Sequence, residues 1–299
     1  MDFSKYIHAV GTGPKGNRDL TFAEAQDMMQ QILNQSIPSE QIAAFLLGWR
    51  LKPEKIEEFR GAIEASQPYI THHKVENSLE LGYPFDGKAK NPYLFPLIAQ
   101  ELQKTDLQLI IIGDEKQPAK NGITTKEIAT HLEFAKNIHF FDRAEFFHKM
   151  HQLTEIRTKL SLRTGFNTIE KLPNVAQSDF AITGVFHKPY VQKYVEIFSD
   201  KYKRFALIQG NEGTPELFSK GRLWITENGQ TQEYIIDPQH YGIEYKKSLE
   251  KITLEESLAL VKNPTQEFQK LAKLNAAVYL FVADKAQNID QAYDMLQNA

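Results

Sequence analysis

The first 70 residues place apolar and polar positions at the spacing of amphipathic helices. Thr21 and Glu24 have the spacing of a capping box, in which each side chain binds the other residue's backbone N–H. Behind this box the apolar residues fall on one helical face: Ala25, Met28, Met29, Ile32 and Leu33. A second stripe follows Pro38, and Pro53 can occupy the first turn of a third helix. The short connections predict a small helical bundle.

From about residue 78 the pattern changes to buried strands that alternate with helices. The run 107–113 is continuously apolar and ends at a glycine, as a buried parallel strand does. Further strand candidates with a similar composition lie at 138–141, 180–185 and 204–210. Asn228 and Gly229 form a turn sequence inside a predicted hairpin, 222–237. The alternation predicts a larger, mainly parallel α/β domain.

Composition narrows the class of protein. A chain of 299 residues with 41% hydrophobic positions suits a domain of about 200 residues plus a smaller one. The net charge of -3 gives no global basic signature. The absence of cysteine excludes disulfides and thiolate zinc sites, and it favours a reducing, cytoplasmic location. The longest apolar runs, such as 276–283, are too short to span a bilayer, so we expect no membrane association.

Several ordered motifs resemble one known family. Residues 157–174 (RTKLSLRTGFNTIEKLPN) follow the pattern R-x-x-L-G-x-R-T-x-F-N-x-x-x-x-L-x-N, with Ser161 in place of its glycine. QGNEGTPE (209–216) stands where that pattern continues with G-x-D-G-x-D-E, and KLNAAVYL (273–280) matches a C-terminal helix. Together with the helical segment 21–65, these motifs are similar to the anthranilate phosphoribosyltransferase superfamily, glycosyltransferase family 3.

The resemblance covers essentially the whole chain and implies a fold of the nucleoside phosphorylase and phosphoribosyltransferase type. The fold class we expect is therefore α/β plus all-α, with a small helical bundle domain and a larger mainly parallel α/β domain. We expect the helical domain, which would form a homodimer, at 1–74 with 155–185. The α/β domain is then expected at 75–154 with 186–299.

The family's phosphate loop is altered in this sequence. The family grips the pyrophosphate of phosphoribosyl pyrophosphate with D-x-x-G-T-G-G-D, and the corresponding segment here is LGYPFDGK (81–88). Pro84 has no N–H to donate, and Tyr83 and Phe85 add bulk where small residues let the backbone approach phosphate. The loop therefore indicates loss of phosphoribosyl pyrophosphate binding. Residues of a degenerate substrate site, implied by the resemblance, would be Gly82, Asp86, Gly87, Arg157 and Asn167.

The family's magnesium motif is also altered. Its paired acids align with Glu212, Pro215 and Glu216, so the adjacent carboxylate pair is broken. Since magnesium usually sits on one or two carboxylates plus substrate phosphates, we expect no metal or other cofactor. The alternative is a magnesium site at Glu212 and Glu216.

The N-terminal segment 6–25 and GVFHKPY (184–190) resemble the YbiB-type TrpD-like branch of the family. That branch implies a non-biosynthetic homodimer that binds nucleic acid, largely without sequence preference, in a basic groove between domains. Residues 157–204 carry nine basic and four acidic side chains, a local charge of +5 that leaves -8 for the rest. The predicted nucleic-acid-binding residues are Lys15, Arg18, Lys88, Lys90, Arg157, Lys159, Arg163 and Lys188. The aromatic residues expected to stack on unpaired bases are Tyr83, Phe85, Tyr93 and Phe186.

Three other interpretations remain open at this point. The basic excess is also typical of an ordinary solvated surface. A phosphoribosyltransferase with a diverged acceptor and magnesium would retain Arg157, Asn167, Glu212 and Glu216, so enzymatic activity is an open question, although our first hypothesis assigns no catalytic residue. A dimer that binds only proteins would use neither ligand. The first hypothesis does not distinguish single-stranded DNA, double-stranded DNA and RNA.

Overall fold

A computed structural model of the protein describes residues 2–186 and 188–298. The chain divides into two compact units. Unit 1 comprises Met1–Thr71, Gln117–Ala119 and Arg143–Pro173, and unit 2 comprises His72–Lys116, Lys120–Asp142 and Asn174–Ala299.

The α-helices follow one another along the chain as α1 (Ser4–Gly11), α2 (Phe22–Leu33), α3 (Ser39–Leu51), α4 (Ile56–Ser66), α5 (Phe95–Glu101), α6 (Thr125–His131), α7 (Arg143–Phe146), α8 (His148–His151), α9 (Thr154–Leu160), α10 (Phe166–Ile169), α11 (Pro189–Phe198), α12 (Leu254–Lys262), α13 (Gln266–Val282) and α14 (Ile289–Gln297). The strands are β1 (Ser78–Gly82), β2 (Gln108–Gly113), β3 (Ile138–Asp142), β4 (Phe180–Gly184), β5 (Arg204–Ile208), β6 (Gly221–Glu227) and β7 (Gln230–Ile236). None of these described helices is both long and apolar enough to cross a membrane.

Unit 1 is a helical bundle, as the sequence pattern predicts. The capping box of Thr21 and Glu24 is present at the start of α2, and the predicted stripe behind it is buried. The third predicted helix, α4, begins at Ile56 after an N-cap at Lys55, so Pro53 lies before it and not in its first turn. Inside the bundle the buried Glu58 accepts hydrogen bonds from the Trp49 indole and the Leu20 backbone N–H, both at 2.8 Å.

Unit 2 contains one seven-stranded sheet with the order β3-β2-β1-β4-β5-β6-β7. The first five strands are parallel, and β6 and β7 add an antiparallel hairpin at the end. The predicted strands and the hairpin turn at Asn228 and Gly229 are therefore confirmed. The chain proceeds in one direction from β1 to β3 and in the other from β4 to β5, so the strand order reverses between β1 and β4. Open α/β sheets bind ligands at the carboxyl ends of the strands at such a reversal.

The observed units differ from the predicted boundaries, most of all in the last segment of the helical unit. The predicted helical segment 155–185 includes β4, which pairs with β1 and β5 and therefore belongs to the sheet of unit 2. The segment that joins the bundle is Arg143–Pro173, which begins earlier because α7 and α8 precede α9 in unit 1.

Candidate functional site

The loop after β1 is folded tightly against the rest of unit 2. Gly87 has a φ of +76°, and a Cβ atom at this position would lie 2.4 Å from the carbonyl oxygen of Ile123. Lys88 and Ile123 form an isolated β-bridge, with N–O distances of 2.8 and 2.6 Å. Further along the loop, the Ile252 N–H donates to the Ala89 carbonyl at 2.9 Å. The predicted substrate residue Gly87 therefore serves a close backbone turn.

Glu216 is the centre of this arrangement. Its carboxylate is fully buried and accepts four hydrogen bonds, from the Tyr83 hydroxyl at 2.8 Å, the Lys88 ammonium at 2.5 Å, and the backbone N–H groups of Leu94 and Phe95 at 2.7 and 3.0 Å. Tyr83, one of the loop residues that replace the family's small ones, thus binds one of the two acids predicted for magnesium.

The ionisation of these groups follows from their burial. Burial lowers the pKa of Lys88, and the Glu216 carboxylate opposes that effect. Burial and Glu216 together raise the pKa of Tyr83 well above its usual value, so its hydroxyl remains a donor. The Lys88 ammonium lies 2.5 Å from the Glu216 carboxylate, so we describe Lys88 and Glu216 as a buried ion pair.

Glu212 and Asp86 are engaged nearby in the same unit. The Glu212 carboxylate accepts the backbone N–H groups of Ala89 at 2.6 Å and Lys90 at 3.1 Å. The Lys120 ammonium lies 3.3 Å from the buried Asp86 carboxylate and donates to the Glu212 carbonyl at 2.9 Å. All four carboxylate oxygens of Glu212 and Glu216 thus accept hydrogen bonds from the protein.

The magnesium that the family resemblance implies does not fit these residues as they are arranged. A divalent ion on Glu216 would have to displace Lys88, which approaches to 2.5 Å inside a fully buried pair. Within residues 2–186 and 188–298, no group of three or more histidine, aspartate or glutamate side chains could hold a metal ion. The alternative site at Glu212 and Glu216 therefore lacks open oxygen ligands.

Two predicted site residues lie inside unit 1 and are also engaged. Arg157 is fully buried and donates to both oxygens of Glu170, at 2.5 and 2.8 Å. Arg143 binds the same carboxylate. Asn167 accepts the Thr164 N–H at 2.9 Å, which fixes the start of α10.

Burial changes the predicted set of nucleic-acid-binding residues. Lys88 and Arg157 are both buried and ion-paired, so we remove them from that set. Because the sequence gives no measure of exposure, the charges of Lys88 and Arg157 were counted in the same way as those of surface residues. The six cations that remain exposed are Lys15, Arg18, Lys90, Lys159, Arg163 and Lys188.

Three of those exposed cations form surface ion pairs. Arg18 makes two hydrogen bonds to Glu24, at 2.8 and 2.6 Å, and this contact lowers the pKa of Glu24 to about 2. Lys159 donates to Glu155 at 2.5 Å, and Lys188 donates to Glu233 at 3.1 Å. Exposed pairs of this kind contribute little to stability, so a phosphate group can compete for these cations.

Burial also separates the predicted aromatic residues. Tyr83, Phe85 and Tyr93 belong to the interior of unit 2 and are not available for stacking on bases. Phe186 is 68% exposed and follows β4, and Tyr190, at 52%, lies in the first turn of α11. Tyr190 was not among the predicted stacking residues, because an aromatic residue in a helical pattern is ordinarily assigned to the core.

Comparisons with known proteins agree with this architecture. Residues 4–67 match the family model described as "Glycosyl transferase family, helical bundle domain", and residues 123–299 match its "a/b domain". An uncharacterised protein of Aquifex aeolicus is 27% identical over 92% of this chain and 91% of its own length. An anthranilate phosphoribosyltransferase of Pseudomonas putida is also 27% identical, over 94% and 90%.

Solved structures share the fold at lower identity. Anthranilate phosphoribosyltransferase from Thermus thermophilus has a TM-score of 0.75 at 18% identity, and it covers all of this chain and 94% of its own. The enzyme from Saccharomyces cerevisiae, in complex with PRPP and Mg, has a TM-score of 0.76 at 16% identity, with coverage of 99% and 92%.

Proposed function

The chain belongs to the glycosyl transferase family whose helical bundle and a/b domains it carries, and on that premise we propose that it is a TrpD-like protein that binds nucleic acid and no longer binds phosphoribosyl pyrophosphate. The single observation that carries this proposal lies in unit 2, where the strand order reverses between β1 and β4. A buried internal ion pair stands where the family's phosphate loop would be, and the nearby exposed groups are basic and aromatic.

Loss of phosphoribosyl pyrophosphate binding is supported by the hydrogen bonds of Glu212 and Glu216. A diphosphate beside β1 would need free backbone N–H groups, but those of Ala89, Lys90, Leu94 and Phe95 already bind Glu212 or Glu216. Each of these donors would have to exchange an internal carboxylate for an external phosphate. Because the internal partner is covalently attached, a dissolved ligand competes poorly with it.

Nucleic-acid binding is supported by the segments that follow β1 and β4. These strands are parallel neighbours, so both segments begin at the same edge of the sheet. The segment after β1 presents Lys90, and the segment after β4 presents Phe186, Lys188 and Tyr190. Cations beside exposed aromatic rings are the combination that binds a single strand, since the cations contact phosphates and the rings stack on bases.

The decisive experiment is fluorescence anisotropy of a labelled single-stranded oligonucleotide at several salt concentrations. We expect binding that weakens linearly with salt on logarithmic axes. The double variant Lys90→Ala/Lys188→Ala should bind more weakly and reduce the salt slope by about 1.4, since each phosphate contact on a single strand contributes about 0.7. Phe186→Ala should weaken binding by about 1–3 kcal/mol without changing the slope.

Lys74→Ala is the matched control for charge. Lys74 is an exposed lysine paired with Glu76, and it precedes β1, whereas Lys90 follows that strand. We expect the control to bind as the unaltered protein does. Because Lys74→Ala removes one charge and the double variant removes two, a control that loses half as much binding free energy as the double variant would assign binding to net charge alone and overturn the proposed surface. No binding at low salt would reject nucleic acid as the ligand.

The alternative is a phosphoribosyltransferase with a diverged acceptor. It predicts saturable binding of phosphoribosyl pyrophosphate in the presence of magnesium, measured by isothermal titration calorimetry. We expect no heat of binding at millimolar ligand, because Lys88 and the loop N–H groups are engaged. Double-stranded DNA and RNA of the same length, compared in the anisotropy assay, would identify the preferred type of nucleic acid.

A further inference from the structure

The ammonium of Lys88 lies inside a complete cage. Its Nζ donates to the Glu216 carboxylate at 2.5 Å and to the Pro92 carbonyl at 2.8 Å. The ring centres of Tyr93 and Phe218 lie 5.2 and 4.3 Å from the same atom. Two oxygen acceptors and two aromatic faces are the groups that recognise an organic cation. The side chains of Lys88 and Glu216 have no exposed surface.

We propose that the groups around Lys88 Nζ form a binding site for an alkylammonium ion. Lys88 fills this site with its own side chain, in place of an exchangeable cation beside Glu216. The site is closed in every copy of the chain because its occupant is part of the chain. The inference concerns the occupant of this cage and does not depend on nucleic-acid binding.

The cage is held by contacts that do not involve the Lys88 side chain. The backbone of Lys88 is bridged to Ile123, and Glu216 keeps three donors besides the ammonium. A Cβ atom on Gly122 would lie 2.5 Å from the carbonyl carbon of Lys88, which shows how closely the two backbones pack. A cavity made by truncating Lys88 should therefore persist, since rigid surroundings relax only partially around a deleted side chain.

The groups that surround the Lys88 ammonium suit an alkylammonium ion better than magnesium. Magnesium requires near-octahedral coordination by oxygen at about 2.0–2.1 Å and retains several waters. Here the position offers one carboxylate oxygen, one carbonyl and two ring faces. The portion of lysine beyond Cβ has the size and charge of propylammonium. This ion is therefore the probe that matches the space left by Lys88→Ala.

Thermal unfolding of the full chain tests the proposal. Lys88→Ala leaves the buried Glu216 without its counter-ion, and we expect the Tm to fall by about 10 °C. Propylammonium chloride should raise the Tm of Lys88→Ala with increasing concentration, as a ligand that binds only the folded state does. Sodium chloride at equal ionic strength should not. The unaltered protein should respond equally to the two salts, because its site is filled.

Two further variants and one further salt test whether the increase in Tm arises from binding at the Lys88 position. Lys88→Ala/Glu216→Gln removes the carboxylate as well as the ammonium and should lose the specific response to propylammonium. Lys74→Ala removes the cation of an exposed pair and should retain both the Tm and the salt response of the unaltered protein. Magnesium chloride should not substitute for propylammonium in Lys88→Ala.

An unchanged Tm in Lys88→Ala, or an equal response of all variants to both salts, would overturn the proposal. Stabilisation of Lys88→Ala by magnesium instead of propylammonium would also overturn it and assign a metal site. If Lys88→Ala does not accumulate in folded form, refolding it from urea gives the same readout. The folded yield should then increase with propylammonium and not with sodium, and equal yields would reject the alkylammonium site.

Discussion

The two units bury a glutamate in different electrostatic settings. In unit 1, Glu170 is shared by Arg143 and Arg157, so two cations surround one carboxylate. The Nε of Arg157 is buried and has no hydrogen-bond partner among the described residues. In unit 2, Glu216 meets one cation, Lys88, and its other donors are neutral. The carboxylate in the helical unit is thus bound by two guanidinium groups, while the carboxylate in the sheet unit is bound by one ammonium and three neutral donors.

The comparison shows that residues at two family positions bind partners within their own unit. The family resemblance assigns Arg157 to a substrate site, and here a carboxylate of the same chain, Glu170, binds it. The resemblance assigns Glu216 to a metal, and here an internal ammonium binds it. In both units the retained residue has a partner of the appropriate charge within its own unit. Retention of a residue type is therefore weak support for retention of its ligand.

The largest effect is expected at Glu170 in unit 1. Glu170→Gln removes the carboxylate that Arg143 and Arg157 share and leaves the buried Arg157 without its acidic partner, so the free energy of unfolding should fall by about 3–5 kcal/mol. Urea denaturation followed by circular dichroism measures this change. Replacing Arg157 and Glu170 together by methionine removes the buried pair as a whole and should be less destabilising than the single change. A double variant that is less stable than Glu170→Gln would contradict the electrostatic account.

Local pattern predicted much of the secondary structure. The capping box at Thr21, the apolar run that forms β2, and the hairpin turn at Asn228 are all present as predicted. Each of these features is encoded by residues that are neighbours along the chain.

The site was less predictable because its contacts are remote in sequence. Lys88 and Glu216 are 128 positions apart, and no periodicity connects them. Phosphate-loop residues could be recognised as altered, but their new partners could not be identified. The sum of charges over 157–204 also counts Arg157 and Lys171, which the fold buries. Exposure depends on tertiary packing, so a local charge of +5 overestimates the basic surface.

A third buried glutamate sharpens the comparison, because its hydrogen-bond donors are neutral. Glu80 on β1 accepts the Tyr202 hydroxyl at 2.6 Å and the Asn174 N–H at 3.1 Å. Burial raises the pKa of Glu80 to about 7, and the hydrogen bond from Tyr202 only partly opposes this. The unfolded chain has a glutamate pKa of about 4.3, so the folded protein holds a proton that the unfolded chain releases. This contribution to stability is present below about pH 4.3 and is lost as the pH rises through 7.

Glu80→Gln should remove that dependence, because an amide resembles the protonated acid and does not titrate. Between pH 5 and pH 8 the unfolding free energy of the unaltered protein should decline relative to the variant by up to about 3 kcal/mol. Urea midpoints at several pH values measure the difference, and the other titrating groups are common to both proteins. Parallel profiles for the two proteins would show that Glu80 is ionised throughout and that its surroundings act as those of Glu216 do.

The smallest expected effect is the difference in stability between variants of two tyrosines near the Lys88–Glu216 ion pair. Tyr83 and Tyr93 are both buried, and their ring centres are 5.4 Å apart. Each hydroxyl donates over 2.8 Å, but Tyr83 donates to the Glu216 carboxylate and Tyr93 donates to the backbone carbonyl of Ile123. Hydrogen bonds to charged acceptors contribute more, so Tyr83→Phe should lose about 2 kcal/mol and Tyr93→Phe about 1 kcal/mol. Equal losses in urea denaturation would mean that Glu216 acts as a neutral acceptor, and the ion pair with Lys88 would then be wrong.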